Sequence, residues 1–152
     1  MDPFISSIEF RTEPADTILV CCSDGRTRRH IAEFLEKQGI EADIYAVPGG
    51  PLVLTSGVEV FGDSMLAQKR IKFLAEDHGS KRIILLSHGS EEEPCQCGMT
   101  KKLWPNLTPS ERMTRQNTAL LQAAERLRSA VDLPIECWFA TVVSGMVQFE
   151  KL

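Results

Sequence analysis

No stretch of this sequence stays apolar for the roughly 20 residues that a membrane-spanning helix needs. Its opening, MDPFISSIEF, has neither the basic start nor the apolar run of a secretion signal. Basic charge is not in excess. The 17 Lys and Arg stand against 21 Asp and Glu, a net charge of −4, so there is no electrostatic footprint for nucleic acid. The five cysteines, at positions 21, 22, 95, 97 and 137, contain no CxxC pair, and their odd number and uneven spacing argue against a disulfide framework. These absences predict a cytoplasmic protein with reduced thiols, some of them available to a metal, and with no membrane or nucleic-acid partner. There is no internal repeat, low-complexity tract or linker. With 152 residues, 43% of them hydrophobic, the chain reads as a single domain over 1–152.

The apolar residues that are present fall into short runs separated by helical patterns. Thr17 to Cys22, TILVCC, reads as a central parallel strand covered on both faces. Arg28 to Gln38 follows with Ile31, Phe34 and Leu35 at helical spacing, and Gly39 sits where a C′ glycine belongs. Ala42 to Val47 is a second strand, ended by Pro48-Gly49-Gly50-Pro51. Asp63 or Ser64 would cap a helix running to His78, with Leu66, Ile71 and Leu74 inward; His78 then sits favourably at the helix C-terminus. Arg82 to Ser87 is a third strand. A polar loop, HGSEEEPCQCGMTKKLWPN, comes next, with Glu91-Glu92-Glu93 expected in solvent. Thr108-Pro109-Ser110-Glu111 has the form of a capping box opening a helix whose inner face is Leu120, Ala124, Leu127 and Val131. Ile135 to Val143 and Met146 to Phe149 flank Ser144-Gly145 as a hairpin, with one of Trp138 and Phe139 facing the core. The predicted class is α/β, a mostly parallel central sheet flanked by helices and closed by a hairpin-like strand pair.

In such sheets, ligands gather beyond the carboxyl ends of the strands. Three of those ends carry chemistry: Cys22-Ser23-Asp24-Gly25-Arg26, Pro48-Gly49-Gly50, and His88 with Cys95 and Cys97 beyond it. Strand alternation sends Cys22 and Asp24 to one side and Cys21 to the core. One imidazole and two thiolates make a sound shell for zinc that leaves a fourth position open, and Cys22, His88 and Cys97 would supply it. Cys137 reads as core. His30, after two arginines in a first helical turn, reads as exposed.

CSDGR resembles the CxDxR signature of the β-class carbonic anhydrases, in which the Cys ligates zinc and the Asp and Arg form a dyad beside it. RIILLSHGSEEEPCQCGM resembles that family's second signature, a His, two residues and Cys-Gly after an apolar strand. Here eight residues, 89–96, lie between His88 and Cys97. IYAVPGG, the segment DSMLAQKRIKFLAEDHGSKRIILLSH, and the closing QNTALLQAAERLRSAVDLPIECWFATVVSGMVQFE resemble the remaining parts, so the likeness runs from about Thr17 to Glu150. It implies a zinc-dependent reversible hydration of CO2 to bicarbonate in a homodimer or higher homo-oligomer. Cys22, His88 and Cys97 would be ligands, with Cys95 as the alternative third. Arg26 would hold Asp24, Asp24 would orient the attacking group, and Gly49-Gly50 would lend a backbone N–H to the substrate. The sequence departs from the family in the insertion, and in having Val47-Pro48-Gly49-Gly50-Pro51 where the family often has Arg-Asn-Ala-Gly-Asn. These departures keep two other readings open, a non-catalytic zinc-binding relative and a hydrolase of a CO2 analogue such as carbonyl sulfide or carbon disulfide. A third also fits Cys22: Cys22 to Arg28 matches the Cys-x5-Arg phosphate loop of thiol phosphatases and resembles the end of a sulfurtransferase domain.

Overall fold

Five strands lie in the order β2-β1-β3-β4-β5 in a computed structural model that describes residues 3–55 and 64–152. β1 (Thr17–Cys22), β2 (Ala42–Val47), β3 (Arg82–Gly89) and β4 (Ile135–Val143) are parallel, and β5 (Met146–Lys151) returns antiparallel to β4. The helices are α1 (Arg28–Gln38), α2 (Ser64–Asp77), α3 (Gly98–Leu103) and α4 (Pro109–Arg128). The α/β architecture expected from the sequence is therefore the one observed. No helix among the described residues is long and apolar enough to cross a membrane.

Alternation along β1 and β3 builds two apolar layers. Leu19, Cys21, Ile84 and Leu86 pack under Ile31, Phe34 and Leu35 of α1, with Ala140 beside them. Ile18, Val20, Ile83 and Leu85 pack under Ile71 of α2 and Leu120, Ala124 and Leu127 of α4. Both faces of β1 and β3 are covered, which is why their sequences read as unbroken apolar runs rather than alternating ones. Each fully buried Ile or Leu contributes about 1.5–3 kcal/mol relative to exposure. Phe139 is in the core, whereas Trp138 is half-buried with its ring edge-on to Phe34.

Local signals place the element ends. Gly39 closes α1 in the left-handed conformation, φ 62°, and its N–H returns to Glu36 and Leu35 carbonyls. Thr108 and Glu111 form the reciprocal capping box of α4, with Pro109 in the first turn. Ser144 and Gly145 both have positive φ, 49° and 76°, as a two-residue hairpin of this hand requires.

Three expectations need correction. Leu66 is exposed, and the inward face of α2 is Ala67, Ile71 and Ala75, with Leu74 half-buried. Residues 66 and 71 are five apart, a rotation of about 140° on a helix of 3.6 residues per turn, so they cannot share one stripe. The loop after β3 is not featureless. β3 continues to Gly89, so His88 lies within the strand; residues 93–95 make one 3-10 turn, and α3 follows. Val131 lies beyond the end of α4 rather than on its face. Asp63, one expected cap of α2, lies outside the described residues.

Candidate metal centre

Cys22 ends β1 on the face it shares with Val20, and His88 lies on β3 on the face it shares with Leu86, so the two side chains approach from opposite sides of the sheet. They meet over its carboxyl end. Cys97, immediately before α3, completes the group: one ligand atom from each of Cys22, His88 and Cys97 lies within 4.8 Å of the others. The two sulfurs are 3.9 Å apart and not bonded. Two thiolates on one tetrahedral zinc, each at about 2.3 Å, would stand about 3.8 Å apart. His88 is only 4% exposed, and its Nε2 is buried with no hydrogen-bond partner. A buried polar nitrogen left without a partner costs free energy unless something fills its place. Donor chemistry, spacing and the orphaned imidazole nitrogen all fit a zinc-sized cation with soft ligands. Cys95 does not join this group; its Sγ lies 4.0 Å from Glu92 Oε2. Of the two alternative third ligands, the structure brings Cys97 to the cluster. Cys21 points into the core, where burial raises its thiol to about 11.

The two thiols of the group behave unequally. Cys22 is pushed well below the ordinary thiol value, chiefly because Cys97 donates to it, with further help from His88 and against the cost of burial. Cys97, holding the proton of the pair and buried, is pushed up. The Gly49 N–H also donates to Cys22 Sγ at 3.4 Å. The amide expected to face a substrate thus lies against the Cys22 sulfur. Gly50 explains the two-glycine turn. Its φ is 55°, and a Cβ there would lie 2.7 Å from the Cys22 backbone nitrogen and 2.8 Å from the Cys21 carbonyl carbon. The turn presses directly on the end of β1, which only glycine permits.

Asp24 and Arg26 lie beside the thiols as a fork-on-fork pair. Arg26 Nε donates to Oδ1 and Oδ2 of Asp24 at 3.0 and 3.1 Å, and Nη2 donates to Oδ2 at 2.6 Å. The guanidinium holds the Asp24 carboxyl down at about 2, with the Arg26 backbone N–H assisting. The other side of the guanidinium donates to the Pro94 carbonyl at 2.6 Å and the Gln96 carbonyl at 3.0 Å. The insertion therefore contributes two acceptors that fix Arg26.

A cavity of about 210 Å³ opens onto Asp24, Arg26, His88 and Cys95, walled by the apolar Ala140, Val142 and Val147. His30, expected in solvent, is half-buried and lines this cavity, because the first turn of α1 begins at the sheet end. A second cavity of about 330 Å³ reaches Cys22, Asp24 and Cys97 from the side of Gly49 and Met99.

The anion-cradle reading of residues 22–28 does not match this geometry. The Ser23 N–H donates to the Val47 carbonyl, Arg26 N–H to Asp24 Oδ1, Thr27 N–H to the Asp24 carbonyl and Arg28 N–H to the Gly25 carbonyl. A phosphate loop needs those groups turned toward one anion beside the thiolate, and here these four are spent on the end of β2 and on the loop's own oxygens. Arg28 is exposed.

The sequence reading assigned no role to Gln96, Arg112 or Gln116. Gln116, 1% exposed, donates to the His88 carbonyl at 3.0 Å. Arg112 and Gln116 precede Leu120 and Ala124 at four-residue steps, so they extend the apolar face of α4. That periodicity is a legible sign that both are buried. Glu93, exposed as expected, also pairs with Arg112 and Lys101.

The fold is that of the β-carbonic anhydrases. The chain is similar to the β-carbonic anhydrase isoform I of Trichomonas vaginalis, at 15% identity over 95% of this chain and 87% of that one, TM-score 0.55. It is similar as well to a tetrameric β-carbonic anhydrase of Sordaria macrospora, at 10% identity over 92% and 81%, TM-score 0.57. An apo carbon disulfide hydrolase matches at 16% identity over 90% and 79%, TM-score 0.53. No family model and no curated protein matches the sequence.

Proposed function

We propose that the chain binds one Zn2+ through Cys22, His88 and Cys97 and catalyses the reversible hydration of CO2 to bicarbonate. The observation that carries this reading is the convergence of those three donors beside a carboxylate whose two oxygens are held by Arg26. A bound zinc ion supplies a nucleophile at neutral pH by lowering the pKa of water from about 15.7 to about 7. The protein's own part is orientation and exclusion. Asp24, kept ionised by Arg26, would accept a hydrogen bond from the nucleophile's O–H and could not donate one, and so would fix which way that group points. Ala140, Val142 and Val147 give a linear apolar substrate a wall without competing donors. The Gly49 N–H steadies Cys22 as a thiolate.

Stopped-flow CO2 hydration by zinc-loaded protein, against a free-zinc control, tests the reading. Hydration above the control is expected, and Asp24→Asn should lower kcat by about 10²–10⁴-fold with zinc content unchanged. Because a carbon disulfide hydrolase shares the fold, carbonyl sulfide and carbon disulfide belong in the same substrate series. Turnover of those alone would move the assignment to a CO2 analogue. Bound zinc with no turnover of any of the three would make the site a non-catalytic metal centre.

A further inference from the structure

The segment from Glu93 to Pro105 carries Cys97 and the two carbonyls that hold Arg26, yet it belongs to no strand of the sheet. Arg26 holds it at Pro94 and Gln96, and Met99 packs with Leu52 and Ala119, but one side chain of α4 bonds to both of its ends. Arg112, in the first turns of α4, is 6% exposed. Its Nη1 donates to Gln96 Oε1 at 2.6 Å and to Glu93 Oε1 at 3.1 Å, before Cys97. Its Nε donates to the Trp104 carbonyl at 3.0 Å and its Nη2 to the Pro105 carbonyl at 3.2 Å, after α3. One planar guanidinium thus grips both ends of the segment. Gln96, 3% exposed, passes the grip on by donating to the Ser90 carbonyl at 3.1 Å. Ser90 Oγ in turn donates to the Val142 carbonyl on β4 at 2.9 Å. Only arginine combines a fixed fork of donors with a charge that Glu93 can balance.

We infer that Arg112 is a positioning residue for the metal centre: through Glu93, Gln96 and the turn at 104–105, it sets where Cys97 and the Arg26-binding carbonyls stand. The inference rests on the zinc reading of Cys22, His88 and Cys97. Loss of the guanidinium leaves the buried Gln96 amide oxygen and the Pro105 carbonyl without this donor, and the Trp104 carbonyl with the Leu107 N–H in its place, so the segment must shift to find others. Cys97 moves with it. Residues that orient a metal ligand typically affect affinity by about 10–100-fold.

The test measures zinc affinity by competition with a chromophoric chelator, and amide hydrogen exchange of residues 93–105 in the metal-free protein. Arg112→Met should raise the zinc Kd about 10–100-fold and abolish protection in that segment. Arg112→Lys, whose single ammonium reaches one end only, should fall between. Ala124→Gly, a helix-weakening change in α4 away from the segment, should lower Tm without moving either readout. Wild-type affinity and wild-type protection in Arg112→Met would overturn the inference, as would an equal loss of affinity in Ala124→Gly. If the wild-type protein binds no zinc, the metal reading fails, and exchange of residues 93–105 alone decides whether Arg112 positions the segment.

Discussion

At the scale of single residues, the site is built from groups whose neighbours restrict what each can do. Cys22 is held by the Gly49 N–H and faces Cys97 and His88. Serine at 22 keeps the size but loses the soft thiolate donor. Cys22→Ser should therefore fall from about one zinc per chain to near none by elemental analysis, with the far-UV circular dichroism unchanged. A variant that keeps full zinc would remove Cys22 from the ligand set. Gly50 is the clearer packing test. Alanine there meets the backbone of Cys21 and Cys22 below 3 Å and must also adopt φ 55°. Backbone atoms cannot yield as a flexible side chain does. Gly50→Ala should cost about 1–3 kcal/mol, the usual cost of overpacking, seen as a lower Tm. An unchanged Tm would show that the turn can move away from β1.

At the scale of elements, one contact ties the C-terminal end of α2 to β2 through a titrating group. His78 Nδ1 and Asp43 Oδ2 are 2.6 Å apart, and Asp77 lies 3.4 Å from Nε2. Asp43, then Asp77, raise the His78 pKa above its ordinary value of 6.5, against some loss of hydration. The sign follows from linkage: a group bound more tightly to its proton in the folded state stabilises it at low pH. The contribution is full below about pH 6.5, the unfolded value, and is lost as pH rises through the higher folded value. The Tm advantage of wild type over Asp43→Asn should shrink as pH rises through that window. A difference that is constant with pH would show that His78 does not titrate against Asp43. The sequence placed His78 at a helix end, which is where it lies. Its partner on β2, 35 residues away in the chain, became visible only once α2 had docked on the sheet.

At the scale of the whole molecule, several apolar side chains are exposed among the described residues. Phe4, Ile5, Ile8 and Phe10 are 94%, 82%, 83% and 89% exposed. The sheet has two edges, β2 and β5, which carry the exposed Ile44 and Met146. Unpaired edges with apolar side chains invite association. Light scattering should give at least twice the chain mass of 17.0 kDa, and removal of residues 1–10 should shift the population toward monomer. A 17.0 kDa species at micromolar concentration would contradict this.

What the sequence by itself determined is local or strongly periodic. The bounds of β1, α1, β2 and β4, the capping box at Thr108, and the placing of Cys22 and His88 at the carboxyl end of two strands follow from apolar continuity and cap chemistry. Each of these acts over a few residues, so tertiary packing agrees with it rather than overriding it. The sequence preferred Cys97 to Cys95 only through its Cys-Gly dipeptide; the exclusion of Cys95 from the cluster, the capture of Arg26 by two loop carbonyls and the contact of the Gly49 amide with Cys22 were decided by tertiary structure. Residues 90–97 make no repeating pattern of their own. Their path is set by Arg112 from α4, Val142 from β4 and Arg26 from the β1–α1 loop, partners between 16 and 70 residues away. A segment with few local preferences takes the conformation that satisfies the buried polar groups around it, and those groups come together only when the sheet and its helices are already in place.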